Sequence, residues 1–496
     1  MKNKGIVWGK IWYGFFILYF LNMLVVTTIV LLMNPLWYDI NEFLIGMIGV
    51  RFNWLAIILT LIFLNFAHSL FLVIFHTIKL AKSGHTKTSI INKILPFIFL
   101  AVWDFALNLL ISEAGSEIFI VRTQLEYLSP IIWLILIIGI SSISPLLYRK
   151  FARQLLRVKN EGTKSWKKAG FVFGTIVIAV ICIFPFISPF FLVPSTVVQG
   201  EIPPKPLLMA HRGASHLAPE NTMAAAEQAV IFGAVGIEVD LTISYDGIIV
   251  LMHDSTLRRT TDVGTVFPDR FNEPITSFNY SELQQLDAGS WFVDCDPFNT
   301  ISEGYISKTT AESYRGEKIP TLAEIINFTR DNYLLLDIDS KGPPSGHPYY
   351  SSYENILLTQ LNNSGLGKNI LIGSSQALSL NMTYVTNAFP VDQLISMGSE
   401  LVNTHHGLTN EQFKSYDLAG IEVMVWTVDS VSRFSQLWCL GVDLIKTNNL
   451  HLMGPLTKPF WSMKVIYYEV SWILIIILTP TLSFSIYLLV KKKVKK

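Results

Sequence analysis

The chain is short of charge and short of cysteine. Only 15% of its 496 residues are Asp, Glu, Lys or Arg, against about 25% in ordinary soluble domains. With 51% hydrophobic residues and a mean hydropathy of +0.43, a wholly soluble protein is excluded. Its three cysteines form no C-x-x-C or Cys/His pattern that would hold zinc. No internal repeat or low-complexity run is present. The net charge of +1 carries little information, and no nucleic-acid partner is expected.

What is abundant is the long apolar run. About 20 such residues cross a bilayer, and candidate spans fall near 11–33, 54–78, 94–112, 128–148, 170–194 and 466–490. A cleaved leader fits the first poorly, because Asn34-Pro35-Leu36-Trp37 follows it in place of a small-residue cleavage pattern. Basic residues mark every second connection. They are Lys2, Lys4 and Lys10; Lys79, Lys82, Lys87 and Lys93; Arg149 to Lys168; and the tail Lys491 to Lys496. The alternate connections carry Asp39, Glu42 and Arg51, or Glu113, Glu117, Arg122 and Glu126. By the positive-inside rule both termini are cytosolic. Residues 196–465 then lie outside or in a lumen, with the plasma membrane the expected location.

The N-x-Ser/Thr sequons at Asn279, Asn327, Asn362 and Asn381 all fall inside that stretch, as an extracellular or lumenal glycoprotein domain would have them. Such a compartment permits a bridge between Cys295 and Cys439; two buried thiols are the alternative. The division expected is a five-span membrane domain at 1–195, a folded domain at 196–465, a sixth span at 466–490 and a cytosolic basic tail at 491–496.

The folded stretch is close to the ~250 residues of a (β/α)8 barrel. Strand-like runs occur at 207–210, 236–243, 248–252, 333–338, 370–372, 394–396, 421–428 and 442–445. Helical runs at 222–232, 322–329, 353–361, 410–418 and 431–440 alternate with most of them. Alternation of this kind predicts a parallel sheet. The exception is the tight turn Tyr245-Asp246-Gly247 between the second and third runs. Residues 265–316, with few periodic apolar positions, read as an insertion after strand three.

At the ends of these strands lies an unusual inventory. His211-Arg212-Gly213 follows the first, Pro219-Glu220-Asn221 opens the helix after it, and Glu238-x-Asp240 lies on the second. His253-Asp254 closes the third. Glu238 and Asp240, two apart on a strand, face the same way; like carboxylates so held are stable around a hard cation, Ca²⁺, Mg²⁺ or Mn²⁺. The opposing reading of such a pair is a solvated strand face, but Ile237, Val239 and Leu241 occupy the other face. His211 and His253 suit acid–base work near neutral pH, and Arg212 offers a fork matched to phosphate oxygens.

His-Arg-Gly, Pro-Glu-Asn-Thr, Glu-x-Asp and His-Asp, in this order and spacing, resemble the glycerophosphodiester phosphodiesterases over roughly 205–450. The span arrangement further resembles their six-transmembrane ectoenzyme branch, whose members are implicated in cleaving glycerophosphodiesters or glycosylphosphatidylinositol anchors. The resemblance implies metal-dependent hydrolysis of a glycerophosphodiester, with Glu238 and Asp240 binding one Ca²⁺ or Mg²⁺ and His211 and His253 as catalytic acid and base. Arg212 would contact phosphate, while Glu220 and Asn221 would shape the site.

For the third metal ligand the choice is Asp337 in Leu336-Asp337-Ile338-Asp339, with Asp339 second. Soluble relatives place a lysine two residues after that ligand, where Asp339 stands, and Lys341 would have to substitute. Trp426 either lines the alcohol pocket or packs in the core. A catalytically silent, ligand-binding ectodomain is the rival reading. A transport role resting on Asp104 in the third span is the other, against a plain interhelical hydrogen bond.

Overall fold

The computed structural model describes residues 2–50, 52–83, 88–114, 119–160 and 165–494. Of the charges used to orient the chain, Arg51, Lys87, Glu117, Lys164, Lys495 and Lys496 lie outside them. Among the described residues six helices are long and apolar enough to cross a membrane: Ile11–Leu32, Trp54–Leu80, Ile90–Ser112, Phe119–Pro145, Ala169–Phe191 and Val465–Lys492. The protein is a multi-pass membrane protein. It divides into two compact units, Met1–Leu128 and Ser129–Lys496.

The first unit packs α1 (Lys2–Leu32), α2 (Trp37–Ile48), α3 (Trp54–Ser83) and α4 (Ile90–Ala114), and ends in the first turns of α5 (Phe119–Asn160). Phe16, Tyr19, Met23, Val26 and Val30 of α1 recur every three or four residues, so they form one buried stripe. Asn22 donates to Asp104 at 3.0 Å across the bundle. Asp104 thus makes the interhelical hydrogen bond that weakens a transport reading.

In the second unit α6 (Ser165–Phe191) leads to β1 (Val197–Val198) and then into the barrel. Its strands are β2 (Leu207–Ala210), β3 (Gly236–Ile243), β5 (Leu335–Ser340), β6 (Ile370–Ile372), β7 (Thr383–Thr386), β8 (Leu401–His405), β9 (Glu422–Trp426) and β10 (Leu444–Thr447). All eight are parallel, in the order β2-β10-β9-β8-β7-β6-β5-β3, and β2 closes the ring against β3. The outer helices are α7 (Met223–Ile231), α12 (Leu322–Asp331), α13 (Tyr353–Asn362), α14 (Val391–Met397), α15 (Asn410–Ala419) and α16 (Val431–Cys439).

The expected (β/α)8 barrel is present, with two corrections to its strands. Residues 248–252 do not supply a ring strand. They form β4 (Ile249–Leu251), antiparallel to β3 with Leu241 opposite Leu251, because Gly247 at φ 92° closes a hairpin. Residues 394–396 lie in α14, between Pro390 and the left-handed Gly398. The missing ring strands are β7 and β8.

Between β4 and α12 run the short helices α8 (Val263–Val266), α9 (Tyr280–Leu283), α10 (Ser290–Cys295) and α11 (Lys308–Ser313). The first two share a small core built on Phe278, Leu283 and Leu286, while Phe292 of α10 and Ala311 of α11 join the main core of the barrel. After β10 come α17 (Leu450–Met453), β11 (Met463–Lys464), which pairs in parallel with β1, and α18 (Val465–Val494). Cys295 is exposed and Cys439 buried, and both are free thiols.

Side-chain period sets the barrel's interior. Met209, Leu371, Val385, Leu401, Met424 and Leu444 form a buried apolar cluster. Two residues further along each strand, where the side chain points the same way, stand His211, Gly373, Asn387, Asn403, Trp426 and Lys446. An apolar floor therefore lies under a polar upper layer at the C-terminal ends of the strands, the end where barrel enzymes carry chemistry.

Candidate active site

The His-Arg-Gly segment is bent to grip β3. Arg212 and Gly213 are left-handed, at φ 57° and 74°; a Cβ on Gly213 would stand 2.6 Å from that of Ala225, so this position needs glycine. The turn aims the Arg212 N–H at Glu238 Oε2 (2.8 Å) and the Gly213 N–H at the Glu238 carbonyl (3.3 Å). Asn221, also left-handed at φ 56°, donates its N–H to the Arg212 carbonyl (2.9 Å). Its side chain donates to Asp240 Oδ2 (2.9 Å) and accepts from the Asp240 N–H (3.1 Å). Arg212 Nε lies 3.3 Å from the same carboxylate. Local strain at Arg212 thus serves to fix two carboxylates.

Those carboxylates have company from β5. Glu238 is in register with Asp337, and Asp240 with Asp339. Oxygens of Glu238, Asp240 and Asp339 all lie within 4.8 Å of one another. Asp337 is instead ion-paired with the buried Lys446 of β10. Burial, then the neighbouring Asp240 charge, pushes both Glu238 and Asp339 above the ordinary carboxylate range. Lys446 stays charged, because Asp337 and then Glu238 outweigh the burial that would lower it. Three hard oxygen donors with unbalanced negative charge suit a divalent cation such as Ca²⁺ or Mg²⁺.

Asp337, the first choice from sequence, lines the same cavity but is taken up by Lys446, and Asp339 joins the cluster. The lysine spacing then falls into line, since Lys341 stands two residues after Asp339. Its Nζ lies 3.5 Å from Asp240 and donates to the His253 carbonyl at 3.0 Å.

Each histidine has a fixed orientation. Asn448 Nδ2 donates to Asp429 Oδ2 (2.6 Å), so its oxygen faces His211 Nδ1 at 2.9 Å and also accepts from Ser215 (2.6 Å). Nδ1 must donate, which leaves Nε2 unprotonated, 3.9 Å from Glu238. Burial, then the charge of Arg212, lowers the His211 pKa and keeps the ring neutral. His253 Nδ1 lies 2.9 Å from Asp254, which also accepts from Arg259 Nε (2.8 Å).

Arg259 in turn makes two bonds to Glu220, at 2.7 and 2.8 Å, and Arg212 adds one at 3.3 Å. Burial would raise Glu220, but Arg259 and Arg212 hold it down to about 2. Glu220 and Asn221 thus brace the site through Arg259, Arg212 and Asp240.

His211, Arg212, Glu238, Asp240, His253, Asp339 and Lys446 line one cavity of about 510 Å³. Trp426 lines it too and is 39% exposed, so it faces the cavity and not the core. Tyr384, Asn387, Phe389 and Asn403 complete the far wall. Arg259, Asp429, Asn448 and Lys446 escaped the sequence reading. Thr447-Asn448 at the end of the last barrel strand was the one available signal.

A model of the glycerophosphoryl diester phosphodiesterase family matches residues 211–404, and a second model of that description matches 422–451. The chain carries a glycerophosphodiester phosphodiesterase domain. Its enzyme class is accordingly that of a phosphoric diester hydrolase. Glycerophosphodiester phosphodiesterase domain-containing protein 5 of Homo sapiens is 28% identical over 466 residues, which cover 91% of this chain and 74% of the relative. Glycerophosphoinositol inositolphosphodiesterase GDPD2 of Mus musculus is 29% identical over 495 residues, 97% of this chain and 88% of the relative. The likeness to these membrane-type phosphodiesterases thus runs through the spans as well as the barrel. A phosphodiesterase of Oleispira antarctica, solved with its product sn-glycerol-3-phosphate, is 27% identical, with a TM-score of 0.39, over 50% of this chain and 95% of that one.

Proposed function

We propose that this phosphodiesterase hydrolyses glycerophosphodiesters to an alcohol and a phosphomonoester, using two histidines and one divalent cation, on the outer or lumenal side of its membrane. The observation that carries this reading is the Glu238, Asp240 and Asp339 cluster, set in one cavity with His211 and His253. Those three carboxylates would hold the ion, which when bound neutralises charge on the phosphate. Asp339 replaces Asp337 as the third ligand in this reading.

Arg212 and Lys341 bind phosphate oxygens, electrostatic stabilisation of the kind usually worth most in such sites. One histidine takes a proton from the attacking hydroxyl, either of water, which gives the phosphomonoester directly, or of the neighbouring glycerol carbon, which gives a cyclic phosphate that water then opens to the phosphomonoester. The phosphorus–oxygen bond to the leaving alcohol breaks, and the other histidine protonates the alkoxide. His211, with Nε2 unprotonated, is suited to the first role, and His253, braced by Asp254, to the second. Trp426 borders the alcohol side.

The mouse relative is named for glycerophosphoinositol, so inositol joins choline in the first substrate panel. Turnover of glycerophosphocholine and glycerophosphoinositol by the purified full chain, with products identified and with or without chelator, tests the proposal. No cleavage of either would overturn it. The silent-ectodomain reading loses its support, which was an apparent absence of the lysine that Lys341 now supplies.

A further inference from the structure

We infer that the barrel rests on the bilayer by the sector of its N-terminal face that lies between its two membrane connections, with the catalytic mouth open to bulk water.

Both membrane connections leave the barrel from one end. The fifth span ends at Phe191, and the chain from it enters the ring at Leu207, the N-terminal end of β2. The returning chain comes back beside it: Lys205 Nζ donates to the Gly454 carbonyl at 2.6 Å. Trp438, in the last turn of α16, donates to the Pro203 carbonyl at 2.8 Å. Because α16 runs back against the strands, that turn also lies at the N-terminal end. β1 then pairs with β11, Val197 opposite Met463, and the Tyr468 hydroxyl of α18 donates to the Pro189 carbonyl of α6 at 2.9 Å. The site residues stand at the opposite, C-terminal ends of the strands. β3, with eight residues, spans about 20 Å along a tilted barrel axis at ~3.3 Å per residue.

The face between the connections is apolar. It holds a cavity of about 600 Å³ lined by Pro206, Leu207, Phe232 and Leu450 among others, and Ile231 on its edge is 68% exposed. Close to the start of α18, Phe460 and Trp461 are also exposed, and Trp461 is held at φ 56°. An exposed apolar face rimmed by aromatics matches the interfacial belt of membrane proteins. Its continuity with the spans Ala169–Phe191 and Val465–Lys492 names the occupant, which is the adjoining lipid leaflet.

The test uses the full chain in phosphatidylcholine nanodiscs, with Cys182 and Cys295 replaced by serine. Spin labels are placed on Ile231→Cys and, in a second sample, on Ser345→Cys in the loop after β5. Power saturation should show the first label relaxed by lipid-soluble oxygen and the second by an aqueous nickel chelate. An aqueous environment at residue 231, or spin–spin broadening there that reports a second copy, overturns the orientation whatever the activity.

Discussion

Asn448 stands between Asp429 and His211, with its side-chain N–H on the carboxylate and its oxygen on the imidazole Nδ1. The Asn448 N–H and the Thr447 hydroxyl also donate to Asp429, at 2.8 and 3.1 Å, so the amide cannot turn over without losing a charged partner. Its orientation selects the His211 tautomer in which Nε2 can accept a proton. Asp429→Asn should free that orientation and lower kcat by about 10²-fold with KM nearly unchanged, as loss of a tautomer-fixing carboxylate does elsewhere. Steady-state kinetics of the full chain measures this. A rise in KM alone, with kcat intact, would show that the relay serves only binding.

The histidines themselves should be individually costly. His211→Ala and His253→Ala each remove a proton carrier, an effect worth about 10²-fold or more in turnover. Because the two act in one displacement, the double variant should be little worse than the more damaged single one. Turnover that survives both changes would refute the assignment.

The two aspartates of β5 should separate by readout. Asp339→Asn takes one oxygen from the carboxylate cluster and should raise the Ca²⁺ or Mg²⁺ concentration needed for half-maximal activity, with little change in melting temperature. Chelation should abolish turnover of the unmodified chain, and adding back either ion should restore it. Asp337→Asn instead leaves Lys446 buried and unpaired, a loss of about 3–5 kcal/mol in stability. Its signature is a lowered melting temperature. Equal metal dependence for both variants would return Asp337 to the ligand set.

Much of this was readable in the chain, for identifiable reasons. The runs 222–232, 322–329 and 410–418 coincide with helices α7, α12 and α15 to within two residues, and in the structure Thr222, Thr321 and Thr409 cap them. The run Leu394–Ser396 is strand-like only when its three residues are taken without the flanking Pro390 and Gly398. Pro390 and Gly398 bracket a short helix. Strands β7 and β8, Thr383–Thr386 and Leu401–His405, mix threonine, asparagine and histidine with few apolar residues, since their inward side chains line the cavity.

In the site, the motifs gave Glu238, Asp240 and both histidines. They could not rank Asp337 against Asp339, which project from the same side of one strand. That choice depends on Lys446, more than 100 residues away in the chain, and only ring closure brings it near. Asp429 and Asn448 likewise carry no local pattern, because each is a single polar residue at a strand end.

The Glu220–Arg259 pair should make the barrel acid-sensitive within a defined window. Glu220 is held down to about 2 in the folded protein, from an ordinary value of 4.5. A carboxylate whose folded pKa is depressed contributes stability that is complete above 4.5 and is lost as pH falls toward 2. With the Glu220 side chain 9% exposed, the contribution is about 3 kcal/mol, from 1.36 kcal/mol per pKa unit. Glu220→Gln should therefore lower the melting temperature of the detergent-solubilised chain at pH 7, where Arg259 and Arg212 lose a charged partner. As the pH falls below 4.5 the deficit should shrink, because the unfolded form of the unmodified protein takes up a proton at Glu220 that the folded form, with its pKa held to about 2, does not. Tryptophan-fluorescence melts of both proteins between pH 7 and pH 3 measure the gap. A gap that stays constant across that range would show that Glu220 carries no depressed pKa and that its two arginines contribute little to the fold.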